Sequence, residues 1–135
     1  MLLQIVLMMM AGFDPTVLTA HAAPVELNST TTIAAYVREV QHKYGLGDDF
    51  YETLEYESAG WQNIQSRVVK NGVREESYGI AQINLPAHPT ISKAQALDVR
   101  WAVNWAAQEF QAKRQWQWTA WNVFHKDAVL RASGL

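Results

Sequence analysis

The chain contains no cysteine. It therefore has no disulfide framework and no thiolate chemistry, and its core alone must carry the fold. That absence does not exclude export. An excess of charge of one sign is missing too. The formal net charge is -2, so nothing points to nucleic acid or an anionic surface as a partner. Histidine is sparse: His21, His42, His88 and His125 are scattered without ligand spacing, so neither a metal nor another cofactor is expected. There is no internal repeat and no low-complexity segment. No Lys or Arg precedes Arg38. The apolar run from Met1 to Phe13 is shorter than the roughly 20 residues a membrane span needs.

What is present is a chain of 135 residues, of one-domain length, that is 49% hydrophobic and carries six Trp and five Tyr. Residues 1–22 read as a signal peptide. An apolar segment leads to Ala20-His21-Ala22, which puts small residues at the -3 and -1 positions of a cleavage site before Ala23. The basic start of such a peptide is absent, and Asp14-Pro15 interrupts it late. A loosely packed N-terminal tail is the alternative. If the signal holds, the product is secreted or resides in the cell envelope or periplasm. Residues 23–32 form a linker whose Ser and Thr supply a helix cap.

The domain proper spans 33–125, and 126–135 is a short tail with a frayed end at Ser133-Gly134. Ile33, Val37, Val40 and Tyr44 share one helical face, and Gly45 and Gly47 stop that helix. Asp48 and Asp49 open a second helix, which ends at Ala59-Gly60. Asn71-Gly72 between β-branched residues predicts a hairpin with a two-residue turn and strands of about five residues. Tyr78 to Leu85 reads as a short helix or turn, and Leu85-Pro86-Ala87-His88-Pro89 breaks the chain. A short helix over Ser92–Leu97 follows, then the clearest helix, Asp98 to Lys113, and a last one from Trp118 to His125. The expectation is a mainly helical α+β domain with one small hairpin.

In the second helix Phe50, Leu54 and Glu57 are spaced i, i+4, i+7 and share an apolar face. A carboxyl on a core-facing stripe is desolvated, so its proton is held more tightly. A general acid working near neutral pH needs that environment. A Glu turned out to solvent at the helix end is the alternative.

Two stretches, Tyr56-Glu57-Ser58-Ala59-Gly60-Trp61 and Ser77-Tyr78-Gly79-Ile80-Ala81-Gln82-Ile83-Asn84, follow each other at a Glu57-to-Ser77 spacing of twenty residues. Together they resemble the active site of the lysozyme superfamily, and more narrowly the soluble (SLT) type of lytic transglycosylase. The resemblance covers roughly Ile33 to Phe124. It implies a lysozyme-like fold and cleavage of peptidoglycan glycan strands by a monomer. It implies Glu57 as the catalytic acid, with Ser58, Ser77, Tyr78, Gly79 and Gln82 binding the glycan. Gly79 would let the backbone approach the sugar or take positive φ. Gln82 could serve an N-acetyl group, or be spent on the backbone. Trp61 either covers the cleft end or packs.

The later chain also resembles animal c-type lysozymes, in Ala102-Val103-Asn104-Trp105-Ala106 and Trp118-Thr119-Ala120-Trp121-Asn122. By that match Trp118 is the wall that desolvates the acid; a plain core Trp is the alternative. The c-type enzymes carry an Asp where this chain has Ser77, as the SLT type does. Glu75 is the one nearby substitute for a second carboxylate. The late Tyr-Asn pair of SLT enzymes, whose hydroxyl orients the acid, corresponds to Trp121-Asn122. The orienting role is thus open, with Thr119 a candidate. The reading is a lytic transglycosylase giving 1,6-anhydro products. A hydrolytic lysozyme is the alternative, and a non-catalytic glycan-binding protein a third.

Overall fold

The computed structural model describes residues 23–134, and over 126–132 the backbone course only. The segment read as a signal peptide lies outside the described residues. The architecture is mainly helical α+β: five α-helices, one 3₁₀ turn and two small antiparallel sheets among the described residues.

Helix α1 (Thr30–Lys43) starts earlier than expected because Ser29 forms a reciprocal cap with Thr32. Its Ile33, Val37 and Val40 are buried. It ends as predicted: Gly45 has φ +63°, and the Leu46 amide donates back to the Gln41 carbonyl at 2.9 Å. Helix α2 (Asp48–Glu57) buries Phe50, Thr53 and Leu54, and α3 (Lys93–Leu97) is capped by Ser92. Asp98 caps α4 (Val99–Gln111) through the Trp101 amide. This helix turns Ala102, Val103, Ala106, Ala107 and Phe110 inward, and its small residues let α1 and α3 pack closely against it. Phe110 meets Phe50 edge to face at 5.2 Å, which ties α4 to α2. After the 3₁₀ turn Gln115–Gln117, helix α5 (Thr119–Ala132) packs on α2. It runs past the predicted end at His125. Lys126 to Ala132 contains no helix breaker, and the turn comes at Gly134, with φ +74°.

The hairpin at Asn71-Gly72 is present, with φ +53° and +76° at the two turn residues and Lys70 opposite Val73. Its strands, β1 (Val69–Lys70) and β2 (Val73–Arg74), are shorter than predicted. Both are exposed, so no buried face extends the ladder, and the Ser66 hydroxyl takes the Val68 amide instead.

The expectation of a single hairpin needs correction. Tyr78 to Leu85 is neither helix nor simple turn: β3 (Ser77–Tyr78) pairs with β4 (Ile83–Asn84) in a second, buried hairpin. Tyr78 also bridges back to Gln65. Ile80 and Ile83 are fully buried, so this strand pair is held by core apolar contact that the first lacks.

Gly79 sits at that hairpin's tip with φ +81°. A β-carbon there would lie 1.9 Å from the Ala96 carbonyl oxygen at the end of α3. The positive φ is the expected one, and the close approach seen here is to a helix end. Gly79→Ala should destabilise the fold by at least about 2 kcal/mol, from strain and overpacking together. Chemical denaturation checks this; a variant within about 0.5 kcal/mol of wild type, the range of inert surface changes, would contradict it.

Candidate active site

A cavity of about 520 Å³ opens between the end of α2, the two hairpins and the start of α5. Glu57, Ser58, Glu75, Ser77, Gln82 and Trp118 all line it. The described residues hold no group of three His, Asp or Glu side chains able to ligate a metal.

Glu57 is the last residue of α2. The chain leaves the helix there through three successive positive φ angles, at Ala59 (+49°), Gly60 (+80°) and Trp61 (+72°). Ala59 stands where a helix stop usually has glycine, and Trp61 in this region is rarer still. Ser58 holds the turn. Its buried hydroxyl donates to the Leu54 carbonyl at 2.7 Å and accepts the Trp61 amide at 2.9 Å. Ser58 is thus a cap that aims Glu57, and its hydroxyl is already partnered for that work. Trp61 is buried and packs on Tyr51 at a ring distance of 4.9 Å, away from the cavity lining.

The Glu57 carboxyl is half-buried, and its Oε1 accepts the Ala120 backbone N–H at 3.0 Å. Desolvation raises its pKa above the ordinary value of 4.5. The Ala120 bond opposes that rise, and the negative field of Glu75 adds to it. Two helix ends meet at this carboxyl. The C-terminal carbonyls of α2 disfavour its charge, while the free amides at the start of α5 favour it.

The orienting group is therefore a backbone amide. Thr119, the predicted candidate, lines the cavity, but its neighbour supplies the bond. Trp121 and Asn122 turn elsewhere, to Asp49 Oδ2 at 2.9 Å and the Trp116 carbonyl at 2.7 Å. The signal was available: the first amides of any helix lack internal partners. Ala120 is among those amides for the predicted start at Trp118 as well as for the observed one at Thr119.

Glu75 faces the same cavity, held by the Ser66 hydroxyl at 2.9 Å. Ser66 was not anticipated. The buried Ser77 hydroxyl meets the Asn84 amide at 3.4 Å, not a base. Trp118 is 4% exposed, lines the cavity, and donates its indole N–H to the Ala81 carbonyl at 2.8 Å. It is both wall and core. Tyr78 and Gly79 lie outside the lining. Tyr78 is buried beneath Lys93, whose ammonium stands 4.9 Å from its ring centroid. Gln82 reaches the cavity wall, but its amide nitrogen donates to the Gly79 and Ile64 carbonyls at 2.9 and 3.1 Å. Those bonds spend the donors that sequence reading offered to a ligand.

What geometry defines is a mainly helical α+β domain with two carboxyls, Glu57 and Glu75, in one open cleft. No family model, curated protein or solved structure matches the chain.

The raised Glu57 pKa links stability to pH. Below the ordinary range, Glu57 is protonated in the folded and unfolded chain alike. As pH climbs through 4.5 toward the folded value, the unfolded chain loses its proton first, and the folded state loses ground. Glu57→Gln, whose amide oxygen can still accept the Ala120 N–H, removes that penalty. Its stability relative to wild type should rise with pH across this window. Denaturant melts at several pH values read the difference, and a pH-independent difference would contradict the linkage.

Proposed function

We propose that the protein cleaves the β-1,4 bond between N-acetylmuramic acid and N-acetylglucosamine in peptidoglycan, as a lytic transglycosylase. The observation that carries this reading is Glu57: a half-buried carboxyl with raised proton affinity, aimed into an open cleft by a backbone amide. Its neighbours in sequence are those of the SLT-type motif, and the acid at the end of a helix facing small hairpins suits a lysozyme-like fold.

Glu57 donates its proton to the glycosidic oxygen as the bond from the anomeric carbon breaks. The oxocarbenium-like sugar is shielded by its own N-acetyl group. The Glu57 carboxylate then takes the proton of the C6 hydroxyl, whose oxygen bonds the anomeric carbon and closes the 1,6-anhydro ring. Ser77 favours this course. A hydroxyl bonded to an amide, with no base, is no activated nucleophile. An internal hydroxyl also has the advantage of proximity over bulk water. The enzyme acts as a monomer on glycan strands of the cell envelope.

One observation favours a second reading, hydrolysis. Glu75 shares the cleft with Glu57 and its charge reaches it. A second carboxylate in that position can stabilise the cationic sugar or activate water.

Digestion of purified peptidoglycan, with masses taken before any reduction step, separates the readings. Anhydro ends, lighter than hydrolysed ends by one water and inert to borohydride, are expected. Reducible muramic acid ends would replace the transglycosylase by the hydrolase, and Glu75→Gln should then stop the reaction. Glu57→Gln should lower turnover by at least about 10²-fold while the protein stays folded. Near wild-type turnover in that folded variant would overturn both.

A further inference from the structure

Ser66 has no step in the mechanism above, yet it is 7% exposed and lines the Glu57 cleft. Its hydroxyl donates to Glu75 Oε2 at 2.9 Å and accepts the Val68 amide at 3.2 Å. A serine hydroxyl has one proton to give. Here that proton is committed to a carboxylate, and the Val68 bond occupies a lone pair on the same oxygen.

The backbone holds both residues in place. The Ser66 amide donates to the Ser77 carbonyl at 2.7 Å, and Arg74 Nε donates to the Ser66 carbonyl at 2.6 Å. Residues 74 and 77 bracket Glu75. In return, the Glu75 amide donates to the Val68 carbonyl at 2.8 Å, and the Glu75 carbonyl accepts Gln65 Nε2 at 3.1 Å. Residues 65 and 68 bracket Ser66. Each partner in the side-chain bond is thus clamped by the other's neighbours. A half-buried glutamate on a clamped backbone still turns freely about its side-chain torsions, and water draws its charge outward. The charge-assisted bond from Ser66 removes that freedom.

The place of Glu75 matters because it is the one carboxylate besides Glu57 among the residues lining the cleft. The other titratable or charged side chains there are engaged elsewhere. Arg67 donates to Gln62 Oε1 at 3.1 Å, the His88 ring stands 5.1 Å from that of Trp105, and the Tyr56 ring stands 5.6 Å from that of Phe124. The negative charge of Glu75 reaches Glu57 and adds to its hold on the proton.

We infer that Ser66 is a positioning residue: it fastens the Glu75 carboxylate to the cleft wall and so fixes the relation between the two carboxyls of the site. Its consequence is the pH range over which Glu57 can act as an acid. That consequence rests on the glycan-cleaving reading of the cleft; the tether itself does not.

Carbon-13 NMR of the side-chain carboxyls of the intact protein, across a pH titration, reads the tether without turnover. Ser66→Ala should lower the Glu57 midpoint part of the way to its value in Glu75→Gln, because the freed Glu75 turns to water. In the Glu75→Gln background, Ser66→Ala should leave the Glu57 midpoint where it was. Ser66→Thr, which keeps the hydroxyl, should hold the wild-type value. The alkaline limb of activity on peptidoglycan should move to lower pH in Ser66→Ala by the same shift. A Glu57 midpoint unmoved or raised by Ser66→Ala would overturn the assignment. An equal shift with and without the Glu75 carboxylate would also overturn it, since loss of the Val68 bond would then be the cause. No turnover by folded wild-type protein, with the NMR coupling present, would remove the glycan reading and leave the tether standing.

Discussion

A single hydrogen bond, from the Ala120 N–H to Glu57 Oε1, joins two parts of the chain 63 residues apart. The candidate site exists only where that bond exists. It requires α2 to end at Glu57 and α5 to begin at Thr119, with the two helices packed so that the end of one meets the start of the other. Other contacts hold the same junction. Tyr56 meets Phe124 edge to face at 5.6 Å, and the Trp121 indole donates to Asp49 at 2.9 Å. Both contacts run between α2 and α5. Their consequence is to keep an amide at hydrogen-bonding distance from a carboxyl that would otherwise be free to turn to water.

The bond also sets a balance. Without its partner, this half-buried carboxyl would hold its proton more tightly still, and with several amide donors it would give the proton up more readily than a surface acid does. Here one donor works against desolvation and against the negative charge of Glu75. The net effect is a proton held more tightly than usual but still transferable. The strain at Ala59 and Trp61 belongs to the same design. Left-handed φ is unfavourable at both, though not at Gly60 between them, and the three residues turn the chain away so abruptly that the last carboxyl of α2 is left facing the cleft. Ser58 bonds both sides of that turn and offsets part of the cost.

Much of this was legible in the sequence. Side-chain periodicity placed Phe50, Leu54 and Glu57 on one face, and Asn71-Gly72 gave the hairpin turn. Ser77 and Trp118 reached the cleft, as their motifs implied. What escaped was carried by backbone groups and by long-range packing. The orienting donor is a main-chain amide at Ala120, a residue with no polar side chain to draw notice. The second hairpin escaped because Gly79-Ile80-Ala81-Gln82 has no turn signature as strong as Asn-Gly, and its pairing is held by burial of Ile80 and Ile83. The motif implies Ser58, Gly79 and Gln82 as glycan contacts, with positive φ at Gly79 and backbone bonding at Gln82 as the alternatives. The fold uses their polar atoms or their small size for its own backbone. Sequence spacing reveals which residues recur together, but not whether they do so to touch a substrate or to aim a neighbour that does.

The claim on which the account stands is that Glu57 is a poised acid. Carbon-13 NMR of the side-chain carboxyls, followed across a pH titration of the intact protein, reads it directly. The account predicts a Glu57 midpoint above 4.5, moving down when Glu75→Gln removes the adjacent negative charge, yet staying above 4.5 because desolvation remains. A Glu57 midpoint at or below 4.5 in the folded wild-type protein would contradict it.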